Sequence, residues 1–162
     1  MIKLKINKSY IAKLKEMEGL SLTAYKPKGE KDILPCYTIG YGHYGALKGQ
    51  VITEHQAELL LLDDVRRAYY GLLGLLKPFN LSDKHFTSDR ITALVDFIYN
   101  LGLESLRKST LLKMIINDPD DIKIPFEIEK WCYSGKVKLH GLVLRRRYES
   151  ELWSSNKDNE LI

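Results

Sequence analysis

Between two stretches of helical spacing lies a segment that no helix can hold. From Leu20 to Tyr44 the chain reads LSLTAYKPKGEKDILPCYTIGYGHY, with aromatic and β-branched residues alternating with Gly and Pro. Such a run favours short strands and tight turns. The spacing predicts a strand ending at Tyr25, a hairpin loop over Pro27–Pro35 and a returning strand over Cys36–Tyr41. Everything else in the sequence must be arranged around this small sheet.

The flanks read as helices. Tyr10, Ile11, Leu14 and Met17 recur at helical spacing, with Ser9 placed to cap the start and Gly19 to stop it. Glu18 therefore falls at, or just beyond, the last turn. Downstream, Thr53 followed by Gln56 forms a capping box that opens a long helix to about Leu76, ended by Lys77–Pro78. Ser88–Leu101 is apolar on several faces and is expected to be the most buried helix, closed by Gly102. Shorter helices are expected at Ser109–Ile116, Pro125–Tyr133 and Leu142–Leu152, followed by a polar, frayed tail. The fold class is α+β and predominantly α-helical. It is a single domain over 1–162, with an N-terminal lobe at 9–53, a connecting helix at 54–77, a helical lobe at 78–153 and a tail at 154–162.

Length and composition set the outer bounds. A chain of 162 residues buries roughly 68–70% of its extended surface, so it needs no disulfide or metal to fold. Its apolar and charged fractions, 44% and 28%, are those of a soluble globular protein. Runs such as Leu59–Leu62 are far short of the ~20 apolar residues of a membrane span, so no membrane insertion is expected. With no continuous apolar run near the N-terminus, no signal peptide is expected, and Cys36 and Cys132 are too few for a disulfide framework. Cytoplasmic synthesis with reduced thiols is the expectation. A net charge of +4 suits an anionic polymer such as nucleic acid or a bacterial wall, and names neither.

Several ordered blocks carry a family resemblance. These are E-G-L-x-L-x-A-Y at Glu18–Tyr25, T-I-G-Y-G-H at Thr38–His43, and V-I-T-E-x-Q-A-E-x-L-L at Val51–Leu61. F-I-Y-N-L-G at Phe97–Gly102, S-T-L-L at Ser109–Leu112 and the signature from Trp131 to Trp153 follow in order. Together they resemble the phage-type lysozymes, the endolysins (muramidases) of glycoside hydrolase family 24. The resemblance implies a two-lobed fold and cleavage of the bond between N-acetylmuramic acid and N-acetylglucosamine in peptidoglycan, with no metal or organic cofactor. It also implies peptidoglycan glycan strands as partner, a holin or other export route to the cell wall, a monomer, and no nucleic-acid partner.

Glycoside hydrolysis uses two carboxyl groups, one to protonate the leaving oxygen and one to activate water or attack the sugar. By resemblance Glu18 is the acid. A carboxyl at a helix C-terminus meets the negative end of the helix dipole, which favours the protonated form an acid needs. The second carboxylate is less direct. The family places an Asp nine positions after the Glu and six before the Thr, which here gives Pro27 and Asp32, because the interval from Glu18 to Thr38 is five residues longer. Asp32, Glu30 or no direct replacement are the three open readings. Some members carry Cys at this place, but Cys36 is out of register.

Thr38 matches the family threonine that helps to hold the attacking water, since a hydroxyl both donates and accepts. Inversion is the implied outcome. His43 is implied to be structural, paired with a carboxylate of the N-terminal lobe, and Gly40 and Gly42 serve backbone turns and close packing. Asn100 and Phe97 are the candidate substrate contacts; a satisfied core amide is the other reading of Asn100. Cys36, His43, Cys132 and His140 lack metal-ligand spacing. Arg145–Arg147 spread around a helix rather than forming one face, so one arginine is expected to pair with a buried acid such as Asp96 while the others are solvated. Trp131 and Trp153 read as core aromatics. The alternative function is a catalytically impaired peptidoglycan-binding protein, suggested by the proline at position 27. A basic nucleic-acid binder has only charge behind it.

Overall fold

The computed structural model describes residues 3–26, 37–159 and 161–162. The whole of the expected hairpin loop, Pro27–Pro35 with Glu30 and Asp32, and Cys36 of the expected returning strand lie outside the described residues. The chain divides into two compact units, residues 11–66 and residues 1–10 with 67–162.

The unit at 11–66 takes in all of α1 (Tyr10–Glu18) after its first residue, and the helix ends at Glu18. Gly19 stops the helix by taking φ +69°, where a side chain would be strained, while its N–H reaches Lys15 O at 3.0 Å. Three strands follow, β1 (Ser21–Tyr25), β2 (Tyr37–Gly40) and β3 (His43–Ala46), in an antiparallel sheet of that order. Ser21 lies opposite Gly40 and Tyr25 opposite Thr38 across the first pair. Thr38 faces Tyr44 across the second. The sequence pattern predicts no strand after β2, because the four-residue HYGA segment gives little strand signal by itself. The outer edge of β1 is bonded by residues 50–52, with Ala24 N–H to Gln50 O at 2.9 Å and Ile52 N–H to Leu22 O at 3.0 Å.

Helix α2 (Glu54–Leu76) opens with the expected capping box. Thr53 N–H donates to Gln56 Oε1 at 2.8 Å, and Gln56 N–H donates to Thr53 Oγ1 at 3.2 Å. Within this unit α2 buries Ala57, Leu61 and Val65, four residues apart and hence on one face.

The larger unit is built on α3 (Ser88–Leu101), in which every residue from Ser88 to Ile98 except Arg90 is buried. Around it stand α4 (Leu103–Arg107), α5 (Thr110–Asn117), α6 (Ile124–Glu129) and α7 (His140–Ser155). Helix α6 stops at Glu129, short of the expected Tyr133, because that tyrosine opens a hairpin of β4 (Tyr133–Ser134) and β5 (Val137–Lys138). Trp153 of α7 is 2% exposed, tilted against Phe86 at 6.2 Å, with the Arg90 guanidinium 4.9 Å from its ring centre. Truncating such a ring costs about 3–5 kcal/mol. Trp131 is only half-buried, edge-on to Phe97 at 5.2 Å.

The expectation of a frayed tail is overturned. Ser88 N–H donates to Asp158 Oδ1 at 2.9 Å and Asp89 N–H to Lys157 O at 3.2 Å, so the tail supplies acceptors to the first two amides of α3. The Asp89 carboxylate in turn accepts from Asn7 Nδ2 at 2.9 Å, Asn159 Nδ2 at 2.6 Å and Ser155 Oγ. Ile162 and Leu161 then pair with residues 4–7. Polar composition suggested disorder, but these polar groups have buried partners.

Candidate active site

Glu18 and Thr38 belong to the same compact unit. Glu18 closes α1 and is half-buried. Three residues later Ser21 starts β1 opposite Gly40, two residues beyond Thr38, so strand pairing carries the end of α1 to the Thr38–Gly40 segment. Thr38 is 6% exposed and is followed on β2 by the fully covered Ile39.

The residues around this pair lock the sheet to α2. His43 Nδ1 lies 2.8 Å from Asp64 Oδ2, joining β3 to α2, with both side chains about four-fifths covered. The carboxylate partner is therefore on the long helix, beyond the 9–53 lobe drawn from sequence. Lys15, one turn before Glu18, pairs with Glu58 of α2 and lies 5.5 Å from the Tyr41 ring centre. The hydrogen bond and charge of Lys15 hold the Glu58 carboxyl below its ordinary range, and the same bond raises Lys15. The Lys15–Glu58 bridge was not foreseen, since nothing in sequence sets Lys15 against one acid of α2 rather than another.

Gly40 explains part of the T-I-G-Y-G-H spacing. It takes φ +65°, and a Cβ there would meet Ala57 Cβ at 3.3 Å. The β2 end lies close against Ala57 of α2, and a side chain at this position would be both crowded and strained in its backbone. Gly42, at φ +86°, sits in the turn into β3.

The other two candidates lie in the helical unit. Phe97 is 1% exposed, packed against Trp131 and the Arg146 guanidinium. Asn100, half-exposed in the last turn of α3, accepts a hydrogen bond from Arg146 Nη2 at 2.9 Å. Arg146 is 0% exposed and also donates to Glu149 Oε1 at 2.6 Å. The expectation that one arginine pairs with Asp96 and the rest are solvated is corrected. Arg145 makes the Asp96 pair, Arg146 is buried as well, and Arg147 alone is exposed. The signal available in sequence was Glu149 at i+3 from Arg146, a spacing that puts both on one helix face.

A model of the phage lysozyme family matches residues 15–149. The chain belongs to the phage lysozyme family. It is 39% identical over 158 residues to an endolysin of Bacillus phage B103, covering 96% of this chain and 56% of that protein. An endolysin of Acyrthosiphon pisum secondary endosymbiont phage 1 is 32% identical over 155 residues, covering 93% and 98%. Among solved structures, the endolysin from Escherichia coli O157:H7 phage FAHEc1 superposes with a TM-score of 0.75 at 26% identity, covering 96% of both chains. The mostly helical α+β fold is thus that of the phage lysozymes. The chain spans about half the length of the Bacillus phage relatives it matches, 56% in each case. Among the described residues no helix is long and apolar enough to cross a membrane.

Proposed function

We propose that this phage lysozyme family member is a peptidoglycan hydrolase that cuts the β-1,4 bond between N-acetylmuramic acid and N-acetylglucosamine and so lyses bacterial cell walls. The observation that carries the reading is Glu18 at the closing turn of α1 with the buried Thr38 in the same unit, in a chain of this family. The relatives' designation as endolysins supports it.

In this mechanism Glu18 protonates the glycosidic oxygen as the bond breaks. Water enters from the opposite face of the sugar. The Thr38 hydroxyl accepts from or donates to that water, and Asp32, six residues before Thr38, removes its proton. The anomeric centre inverts. Export by a holin and action as a monomer rest on the family resemblance alone.

The test is reducing-end release from purified peptidoglycan by wild type, Glu18→Gln and Asp32→Asn, with folding checked by circular dichroism. The reading expects loss of turnover by ~100-fold or more in Glu18→Gln, the range of a missing general acid. Failure of both variants makes Asp32 the second carboxylate. Failure of Glu18→Gln alone leaves Thr38 to hold the water without it. A wild-type protein that sediments with the wall but releases nothing is a wall-binding protein, and the hydrolase reading falls.

A further inference from the structure

We infer that the groove between residues 50–52 and helix α2 is a binding site for the acetamido group of an N-acetylated amino sugar, separate from Glu18 and Thr38. That the sugar belongs to bacterial peptidoglycan rests on the hydrolase reading; the chemistry of the groove does not.

The groove is a cavity of about 390 Å³ lined by Gln50, Ile52, Gln56, Leu59, Leu60 and Asp63, all within the unit at 11–66. Its size falls in the range of small-ligand sites. Residues 56, 59, 60 and 63 recur at i, i+3, i+4 and i+7, so they form one stripe of α2. The opposite wall is held to the sheet, with Gln50 O accepting from Ala24 N–H and Ile52 N–H donating to Leu22 O. Both walls are therefore anchored in regular structure.

The backbone orients the amides of both glutamines. Leu47 N–H donates to Gln50 Oε1 at 2.9 Å, and Thr53 N–H donates to Gln56 Oε1 at 2.8 Å. An N–H donor must meet the amide oxygen, so each Nε2 is the opposite end of a fixed amide. Among the described residues neither Nε2 group makes a hydrogen bond, and each has donors to give. Gln56 cannot turn its amide over without breaking the capping box that starts α2.

The rest of the lining completes the match. Leu59 is 53% exposed, and Ile52 and Leu60 are partly exposed, so an aliphatic surface is open to a ligand. Asp63 adds a carboxylate, whose about four lone-pair positions leave room for a ligand N–H beside the contact it already has. An acetamido group brings the three complements together. Its carbonyl oxygen takes an N–H from a glutamine, its N–H gives to Asp63, and its methyl group covers aliphatic surface that otherwise faces water. A sugar with a free amine has no methyl group to set on the leucines, and an anion meets Asp63 unfavourably. Such a site outside the hydrolytic pair holds the protein on an N-acetylated strand between cleavages, so it acts on KM for insoluble wall rather than on kcat.

Nitrogen–proton correlation spectra of the labelled protein test the site, because they observe the side-chain NH₂ groups of Gln50 and Gln56 directly. N-acetylglucosamine at tens of millimolar is expected to shift both, together with the backbone amides of residues 59–63. Glucosamine and trialanine are expected to leave them in place. Gln56→Glu keeps the oxygen that caps α2, since Glu serves in the box as well as Gln, but has no N–H to give. Its unfolding temperature is expected at or above that of wild type, and its affinity for N-acetylglucosamine about tenfold weaker, the worth of one hydrogen bond. Its KM for intact peptidoglycan is expected to rise with kcat within about twofold. N-acetylglucosamine that leaves both side-chain amides unmoved, or that does no more than glucosamine, would overturn the inference. A shift with trialanine alone makes the groove a peptide site and overturns it too, as does an undiminished affinity in Gln56→Glu. Wild type that hydrolyses peptidoglycan without these shifts keeps the hydrolase reading and loses the site. Wild type that shows them without hydrolysis keeps the site and loses the reading.

Discussion

Arg145 meets Asp96 with two parallel hydrogen bonds, Nε to Oδ2 at 2.9 Å and Nη2 to Oδ1 at 2.8 Å, and both side chains are buried. Tyr10 donates its hydroxyl to the same carboxylate at 2.9 Å. Helix α7, helix α3 and the residue that opens α1 are thus tied to one buried acid. Burial alone would raise the Asp96 carboxyl; the bonds and charge of Arg145, with help from Glu149 and Tyr10, hold it below its ordinary range instead. Asp96→Ala takes both of these hydrogen bonds from a buried guanidinium and is expected to cost about 3–5 kcal/mol. Urea denaturation at neutral pH measures it. Because the folded value is depressed, this contribution is full above the ordinary aspartate range and is lost as pH falls through the folded value. A variant as stable as wild type would show that the pair is energetically idle.

Glu149 works in the opposite direction. Burial first, and then the charge of Asp96, push its carboxyl well above the ordinary glutamate range, with Arg146 and Arg145 opposing. Above the ordinary value the unfolded chain gives up this proton while the folded protein keeps it. Stability therefore falls with rising pH across that window. Glu149→Gln keeps an acceptor for Arg146 and removes the titration. Stability measured from about pH 5 to about pH 9 is expected to decline less steeply in the variant. Parallel curves would mean that Glu149 ionises alike in both states.

Gly40→Ala tests the contact between sheet and helix. The residue sits at φ +65°, and its new methyl group would press on Ala57. A strained backbone position of this kind costs about 1–3 kcal/mol. Thermal unfolding should show the loss, and pairing the change with Ala57→Gly should recover the share due to the clash but not the share due to φ.

The His43–Asp64 contact is expected to contribute about 1–2 kcal/mol to the unit that carries Glu18 and Thr38. A double-mutant cycle of His43→Ala and Asp64→Ala gives the coupling directly. If the two losses simply add, the proximity at 2.8 Å is not an energetic link. The single changes are also expected to lower turnover by loosening the strands that hold Thr38, so loss of stability without loss of turnover would confine the contact to folding.

Much of the architecture was legible because it rests on local chemistry. The Thr53–Gln56 box, the stop at Gly19 and the bounds of α3 depend on residues within one or two turns, and the structure has them where the spacing put them. The misses share a cause. Helix α6 yields to a hairpin at Tyr133, strand β3 exists because β2 is there to pair with it, and the tail is ordered by the first two amides of α3. Each is settled by a partner distant in the sequence.

The same division runs through the site. The sequence by itself determined that Glu18 ends a helix, that Thr38 lies on a strand and that the chain carries motifs of the phage lysozyme family, since side-chain type and spacing act locally. Only the tertiary structure decided that Lys15 meets Glu58, that His43 meets Asp64, that Phe97 is covered, and that the second arginine of the run turns inward to hold Asn100. Those outcomes depend on which charged groups lose their water and which partner then stands within hydrogen-bond reach, and burial is a property of the packed chain rather than of any one residue.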